Sequence, residues 1–225
     1  MQAAALLHLL QLASPSLPIG AYSYSQGMEA ALERGMVHDE ASARRWIVDA
    51  LHQVVARFEA PILWRLLKAF DARDAAAVDA WTERFIAARD TAEFRAETIQ
   101  MGYSLAKLAA ELVPGHEALP LLQRQADVPL PTALAFLAVA LDVPHEAALL
   151  GMLFSWAENQ VLVCVKSVPL GQVSGQRLLL SLRPELEAAN LQAQRLADDE
   201  LCNWSPGLSL LSMQHEVQYS RLYRS

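Results

Sequence analysis

Cysteine is nearly absent: Cys164 and Cys202 are the only two in 225 residues. Two thiols cannot build a disulfide framework, and their spacing is not that of a zinc clip. A single pair stays open, but a reduced cytoplasmic chain is the simpler reading. Basic clusters are also missing. Eighteen Lys and Arg are scattered among 25 Asp and Glu, for a net charge of −7 and a pI near 5.4. Nucleic acid is therefore not an expected partner. No basic residue precedes the apolar segment "AAALLHLLQLA" (3–13), so it lacks the start of a signal peptide. Nor is any apolar run expected to reach the length of a membrane span: "AALLGMLFSWA" (147–157) stops at Glu158.

The common catalytic signatures are missing too. Gly20 and Gly27 are wrongly spaced for a phosphate loop, and no Gly-Lys-Ser/Thr follows either of them. Gly171 and Gly175 in "LGQVSGQ" read as a turn before a helix. A G-x-S-x-G nucleophile elbow is absent, so Ser16, Ser23 and Ser25 are turn formers and caps. The six histidines, His8, His38, His52, His116, His145 and His215, lie far apart without H-x-H or H-E-x-x-H. No metal ligand set and no cofactor is expected from that spacing. A site assembled in three dimensions, or between two copies, would leave no such trace.

What is there is alanine and leucine, 38 of each, a third of the chain. Both suit helices and argue poorly for strands. Hydrophobic residues reach 53% and mean hydropathy is +0.17, so much apolar surface must be buried. The expectation is one all-α domain over 1–225, a bundle of about ten helices with no significant β-sheet. Leu6, Leu9, Leu10 and Ala13 form an i, i+3, i+4, i+7 stripe on the first helix, which Pro15 and Pro18 terminate. A second helix is expected from about Ser25 to a cap at Gly35. Asp39 should cap a third, with Trp46, Ala50, Val54 and Phe58 on one stripe, broken at Pro61. Amphipathic helices follow over 74–89, 91–112 and 183–201. Between them, 113–120 is a break, 131–143 a buried helix ended by Asp142 and Pro144, and 169–176 a turn.

Four stretches stand out. "SPSLPIGAYSYSQGME" packs Pro15, Pro18, Gly20 and Gly27 among serines and tyrosines, with the loop proper over 14–24. Proline stiffens such a loop while glycine allows close approach. Glu158, Asn159 and Gln160 interrupt the apolar helix over 145–168, where polar groups need partners. They read first as an internal hydrogen-bond network and second as a subunit interface near Lys166. Arg89, Glu93, Arg95 and Glu97 read as a solvated helix face with ion pairs. The tail "HEVQYSRLYRS" ends on two tyrosines and two arginines, residue types enriched at binding hot spots.

The opening loop, "AEFRAETIQMGYSLAKL", "NQVLVCVKSVPLGQVSGQ" and "SMQHEVQYSRLYRS" occur together and in that order. In this combination the chain resembles the urease accessory protein UreF family, over nearly its whole length. The resemblance implies a non-catalytic, cytoplasmic, dimeric scaffold that does not act at a membrane. Its partners would be UreD (also called UreH), the GTPase UreG and apo-urease, whose nickel centre the complex matures. Partner contacts are expected from Pro18, Gly20, Tyr22, Ser23, Tyr24, Ser25, Gly27 and Glu29 in the first segment. In the tail (213–225) they are expected from His215, Glu216, Tyr219, Ser220, Arg221, Leu222, Tyr223 and Arg224. Loop and tail should share one UreD-facing surface, with the tail ordering on binding. The alternative is direct regulation of UreG, as a brake or as an activator supplying Arg95, Arg221 or Arg224.

Overall fold

Alanine and leucine do what their propensities dictate. The computed structural model describes residues 2–168 and 170–225; among them are twelve α-helices, two 3-10 turns and no strand. In order, the helices are α1 (Ala3–Leu12), α2 (Met28–Glu33), α3 (Glu40–Gln53), α4 (Glu59–Asp71), α5 (Ala75–Ala87) and α6 (Ala92–Leu112). Then come α7 (Leu119–Gln123), α8 (Leu130–Ala140), α9 (His145–Ser167), α10 (Gln172–Ser181), α11 (Arg183–Arg195) and α12 (Pro206–His215). The all-α expectation holds. The second helix expected is present as the six-residue α2, while α7, of five residues, was not foreseen. Five residues are fewer than the window over which helical periodicity is legible.

The core is centred on α4, α8 and α9. Leu63, Leu66, Leu67 and Phe70 of α4 are buried against Ala133, Phe136 and Leu137 of α8, and Leu149, Leu153 and Ala157 of α9 extend the same cluster. Phe70 and Phe136 meet edge-on at 5.8 Å. Helix α8 is buried along nearly its whole length, as its lack of polar residues requires, and its one buried hydroxyl, Thr132, pairs with Thr82 at 2.9 Å.

Helix α9 corrects the membrane reading. Its 23 residues and mean hydropathy of 1.4 meet the length and composition of a membrane span. The interruption at Glu158 is simply too brief to lower the average. Here α9 packs instead against α1, α2, α3, α4, α8, α10 and α11, which explains its apolar character on nearly every side.

Helix ends follow local chemistry. Asp39 accepts a 2.7 Å bond from the Ser42 amide, and the Ser42 hydroxyl answers the Asp39 amide, a reciprocal capping box. Those Ser42 bonds hold the Asp39 carboxyl below the usual range. Asp74 and Thr91 cap α5 and α6 one way, accepting from the Ala77 and Phe94 amides. The break foreseen at Pro61 falls earlier: α3 stops at Gln53, residues 55–57 form a 3-10 turn, and α4 starts at Glu59. Pro61 sits inside the first turn of α4, where its missing N–H leaves no bond unmade. The helix expected over 183–201 ends at Arg195, because Leu196 is extended and its carbonyl accepts from Arg65. Of the turn expected over 169–176, Pro169 lies outside the described residues, and α10 begins at Gln172.

Candidate functional site

The loop after α1 is held from below by α9. Its backbone turns through left-handed conformations at Gly20, Gln26 and Gly27 (φ 76°, 55° and 82°). Gly27 is needed twice over, since a Cβ there would also lie 2.8 Å from Leu208. Asn159 donates to the Tyr24 carbonyl at 2.9 Å, and Gln160 to the Ser25 carbonyl at 3.4 Å. Two members of the polar trio thus form an internal network. Glu158 remains half-buried, with its carboxyl pushed up by burial.

Gln26 is the pivot beneath the loop. Its side-chain oxygen accepts from Trp156 Nε1 at 2.6 Å, and its amide donates to Glu97 at 2.5 Å. Two cavities of about 70 and 120 Å³ are both lined by Gln26, Glu59, Glu97 and Trp156.

The tail then lies on the loop. The Arg224 amide donates to the Ser23 carbonyl at 2.8 Å, and the Ser225 carbonyl accepts from the Ser25 amide at 2.7 Å and its hydroxyl at 2.5 Å. Ser25 also serves α2, its hydroxyl accepting from the Glu29 amide at 3.2 Å.

Three carboxylates, Glu29 and Glu97 buried and Glu93 half-buried, fix the arrangement. Glu29 accepts from the Leu222 amide at 2.7 Å, the Tyr223 amide at 3.0 Å and His215 Nε2 at 2.9 Å. Glu93 faces His215 Nδ1 at 3.0 Å and Arg221 at 3.2 Å. Glu97 accepts from the Ser225 hydroxyl at 2.8 Å as well as from Gln26. Burial pushes the Glu97 carboxyl up to about 7, against the lowering effect of those two bonds.

Loop and tail, expected to meet, do meet. Among the residues expected to touch partners, Pro18, Tyr22, Glu216, Tyr219, Ser220, Arg221, Leu222 and Arg224 are exposed. Gly20 and Ser23 are half-buried, while Tyr24, Ser25, Gly27, Glu29, His215 and Tyr223 are buried. Tyr24 points inward, donating to Gln100 at 2.9 Å, and Lys166 lies 5.9 Å over the Tyr223 ring. Burial raises both phenols. The tail lies against its own α2 and α6.

The mixed helix face needs a correction. Of its four charged residues, only Arg95 is exposed. Arg89 is buried with Glu59 at 2.8 Å and stacks 4.3 Å from the Phe85 ring. Glu93 and Glu97 face the tail. The sequence does carry a signal for this: two carboxylates at i and i+4 repel on a solvated helix, so such a face calls for donors brought from elsewhere.

An open groove of about 460 Å³ runs between Tyr22, Ser23 and Lys166 on one side and Leu222, Tyr223 and Arg224 on the other. Leu222, which lines it, and Val217 and Tyr219 elsewhere on the tail are largely in solvent. This is chemistry for holding polypeptide: aromatic and aliphatic side chains on a backbone fixed by buried polar bonds. Both cysteines are free, with the buried Cys164 thiol pushed up to about 12 by its apolar surroundings. Among the described residues, no group of three or more His, Cys, Asp or Glu side chains is arranged to hold a metal ion.

Comparison with known proteins matches residues 37–183 to a family model described as UreF. A urease accessory protein UreF from Janthinobacterium sp. (strain Marseille) is 79% identical, with all of both chains covered. One from Nitrosospira multiformis is 66% identical over 98% of each chain. Another, from Azoarcus sp. (strain BH72), is 50% identical over 98% of this chain and 95% of its own. Loop and tail lie outside the span of the family model but inside these full-length similarities.

Proposed function

The chain belongs to the UreF family, and on that premise we propose that it is a non-catalytic scaffold in urease maturation. It presents the loop–tail surface to UreD (UreH), works as a homodimer in the cytoplasm, and joins the GTPase UreG in the complex that installs nickel in apo-urease. The observation that carries this reading is the joining of residues 23–25 to residues 224–225 by backbone bonds. The two most distinctive pieces of the sequence thereby become one surface. Its exposed Tyr22, Tyr219 and Leu222 are anchor types for a protein partner.

Size exclusion with light scattering on the chain, alone and mixed with its cognate UreD, tests the proposal. A co-eluting complex of doubled subunits is expected. Deleting 216–225 is expected to abolish that complex while helicity stays intact, since the segment follows α12 and contains no helix. Undiminished binding by the truncated chain rules the surface out.

One observation favours regulation of UreG as a second activity. Arg221 is bound to Glu93, and Arg95 lies 3.7 Å from Asp127. Arg224 has no carboxylate within salt-bridge distance among the described residues and is exposed. It is the best-placed of the three to meet charge on a partner. Under this reading Arg224→Ala changes UreG turnover at least tenfold at saturating scaffold, on the scale of arginine effects in phosphoryl transfer. Equal turnover with both proteins removes it.

A further inference from the structure

His215 is the last residue of α12 and is fully buried. Both of its ring nitrogens lie against carboxylate oxygens, Nε2 at 2.9 Å from Glu29 and Nδ1 at 3.0 Å from Glu93. A neutral imidazole has one N–H, so one of these contacts would set a lone pair against an oxygen; only imidazolium donates to both. The carboxylates are in turn surrounded by donors. Glu29 also receives two tail amides, and Glu93 also receives Arg221. Every hydrogen in the cluster is supplied from outside the carboxyl groups, which is the environment of ionised carboxylates. The end of α12 adds a partial negative charge that favours a cation at its last residue. Two carboxylates, one imidazolium and one guanidinium leave the cluster neutral.

We infer that His215 is the positioning residue of the loop–tail surface. Donating to Glu29 and Glu93 at once, it keeps Glu29 in place to hold the Leu222 and Tyr223 amides. The other groups facing the cluster are Arg221, which is half-exposed, and the Tyr223 backbone; Glu97 lies one helical turn along α6 and binds Ser225 instead. The side chains of Leu222 and Tyr219 remain in solvent, and Tyr223 alone of the three is buried in the apolar core. The place of the backbone around that one ring therefore depends on the charge cluster. The inference rests on reading loop and tail as a docking surface. It adds that the shape of this surface is set by a residue that partners never touch.

Hydrogen exchange on the full-length chain tests it. In His215→Gln the Leu222 and Tyr223 amides are expected to exchange on the order of tenfold to a hundredfold faster, the scale of lost charge-assisted bonds. Amides of α4 and α8 should be unchanged. Adding Glu93→Gln to His215→Gln removes the surplus negative charge, and is expected to recover most of that protection. A role in packing alone would give no such recovery. Glu93→Gln by itself anchors the comparison should His215→Gln lose global helicity. Unchanged tail exchange in His215→Gln, or a double variant no better protected than the single one, overturns the inference. UreD titration of the same variants separates the two claims: loosened tails with undiminished UreD binding would leave the charge lock standing and remove the docking surface.

Discussion

Gly102→Ala is expected to destabilise the fold by about 3 kcal/mol, near the upper end of the overpacking range. A Cβ on Gly102 would stand 2.0 Å from the Val128 carbonyl oxygen, 2.5 Å from the Pro129 carbonyl carbon and 2.7 Å from the Leu130 amide nitrogen. All three are backbone atoms, so no side chain can swing aside. Helix α6 would have to move away from the start of α8. That movement would also break the 3.1 Å bond from the Leu130 amide to Thr98 Oγ1, which satisfies one of the free donors at the start of α8. Thermal melting by circular dichroism should show a midpoint lowered by about 10 °C for a chain of this size. A shift under about 2 °C would mean that α6 and residues 128–130 do not approach as described. The same variant should weaken UreD binding, since α6 carries Glu93 and Glu97.

The second large effect is on pH dependence. The Glu97 carboxyl, at about 7 in the fold against 4.5 for the unperturbed group, binds its proton more tightly when folded than when unfolded. Between those two values the folded state holds more protons, so its stability falls as pH rises and levels off above about 7. The full excursion for this buried group is roughly 3 kcal/mol. Glu97→Gln imitates the protonated acid: its carbonyl still accepts from Gln26, and its amide donates to the Ser225 hydroxyl. The variant should match the native protein near pH 4.5 and exceed it at pH 8, compared by denaturant midpoints. Comparing the two proteins cancels groups such as Asp39 and Glu185, whose lowered carboxyls favour the fold as pH rises. Equal midpoints at pH 8 would show that Glu97 is not held in an apolar setting.

How far this was legible in the sequence varied by element. Long periodic helices and the caps at Asp39 and Gly35 could be read directly, because their signals are local. So could the demand of Asn159 and Gln160 for partners, since polar groups in an apolar helix are costly unless bonded. The partners themselves, carbonyls of Tyr24 and Ser25, could not be read, because they lie 135 positions away. Charged residues misled most. Glu93 and Glu97 look like ordinary surface residues until donors from the tail are placed over them. Tyr24 and Tyr223 look like surface anchors, but each has an apolar ring that the fold buries. Residue type indicated which segments matter. Which residues face outward depended on contacts that composition does not encode.

Ser25 and Ser225, which close the loop–tail surface, are 200 residues apart. On the ribosome, the helices that bury the apolar core emerge and can pack long before residue 225 is added. A nascent chain, or one stopped early by a nonsense codon, can therefore be almost wholly helical and still present no finished surface. Translation order thus delays the joining of loop and tail until after the helical core can have packed.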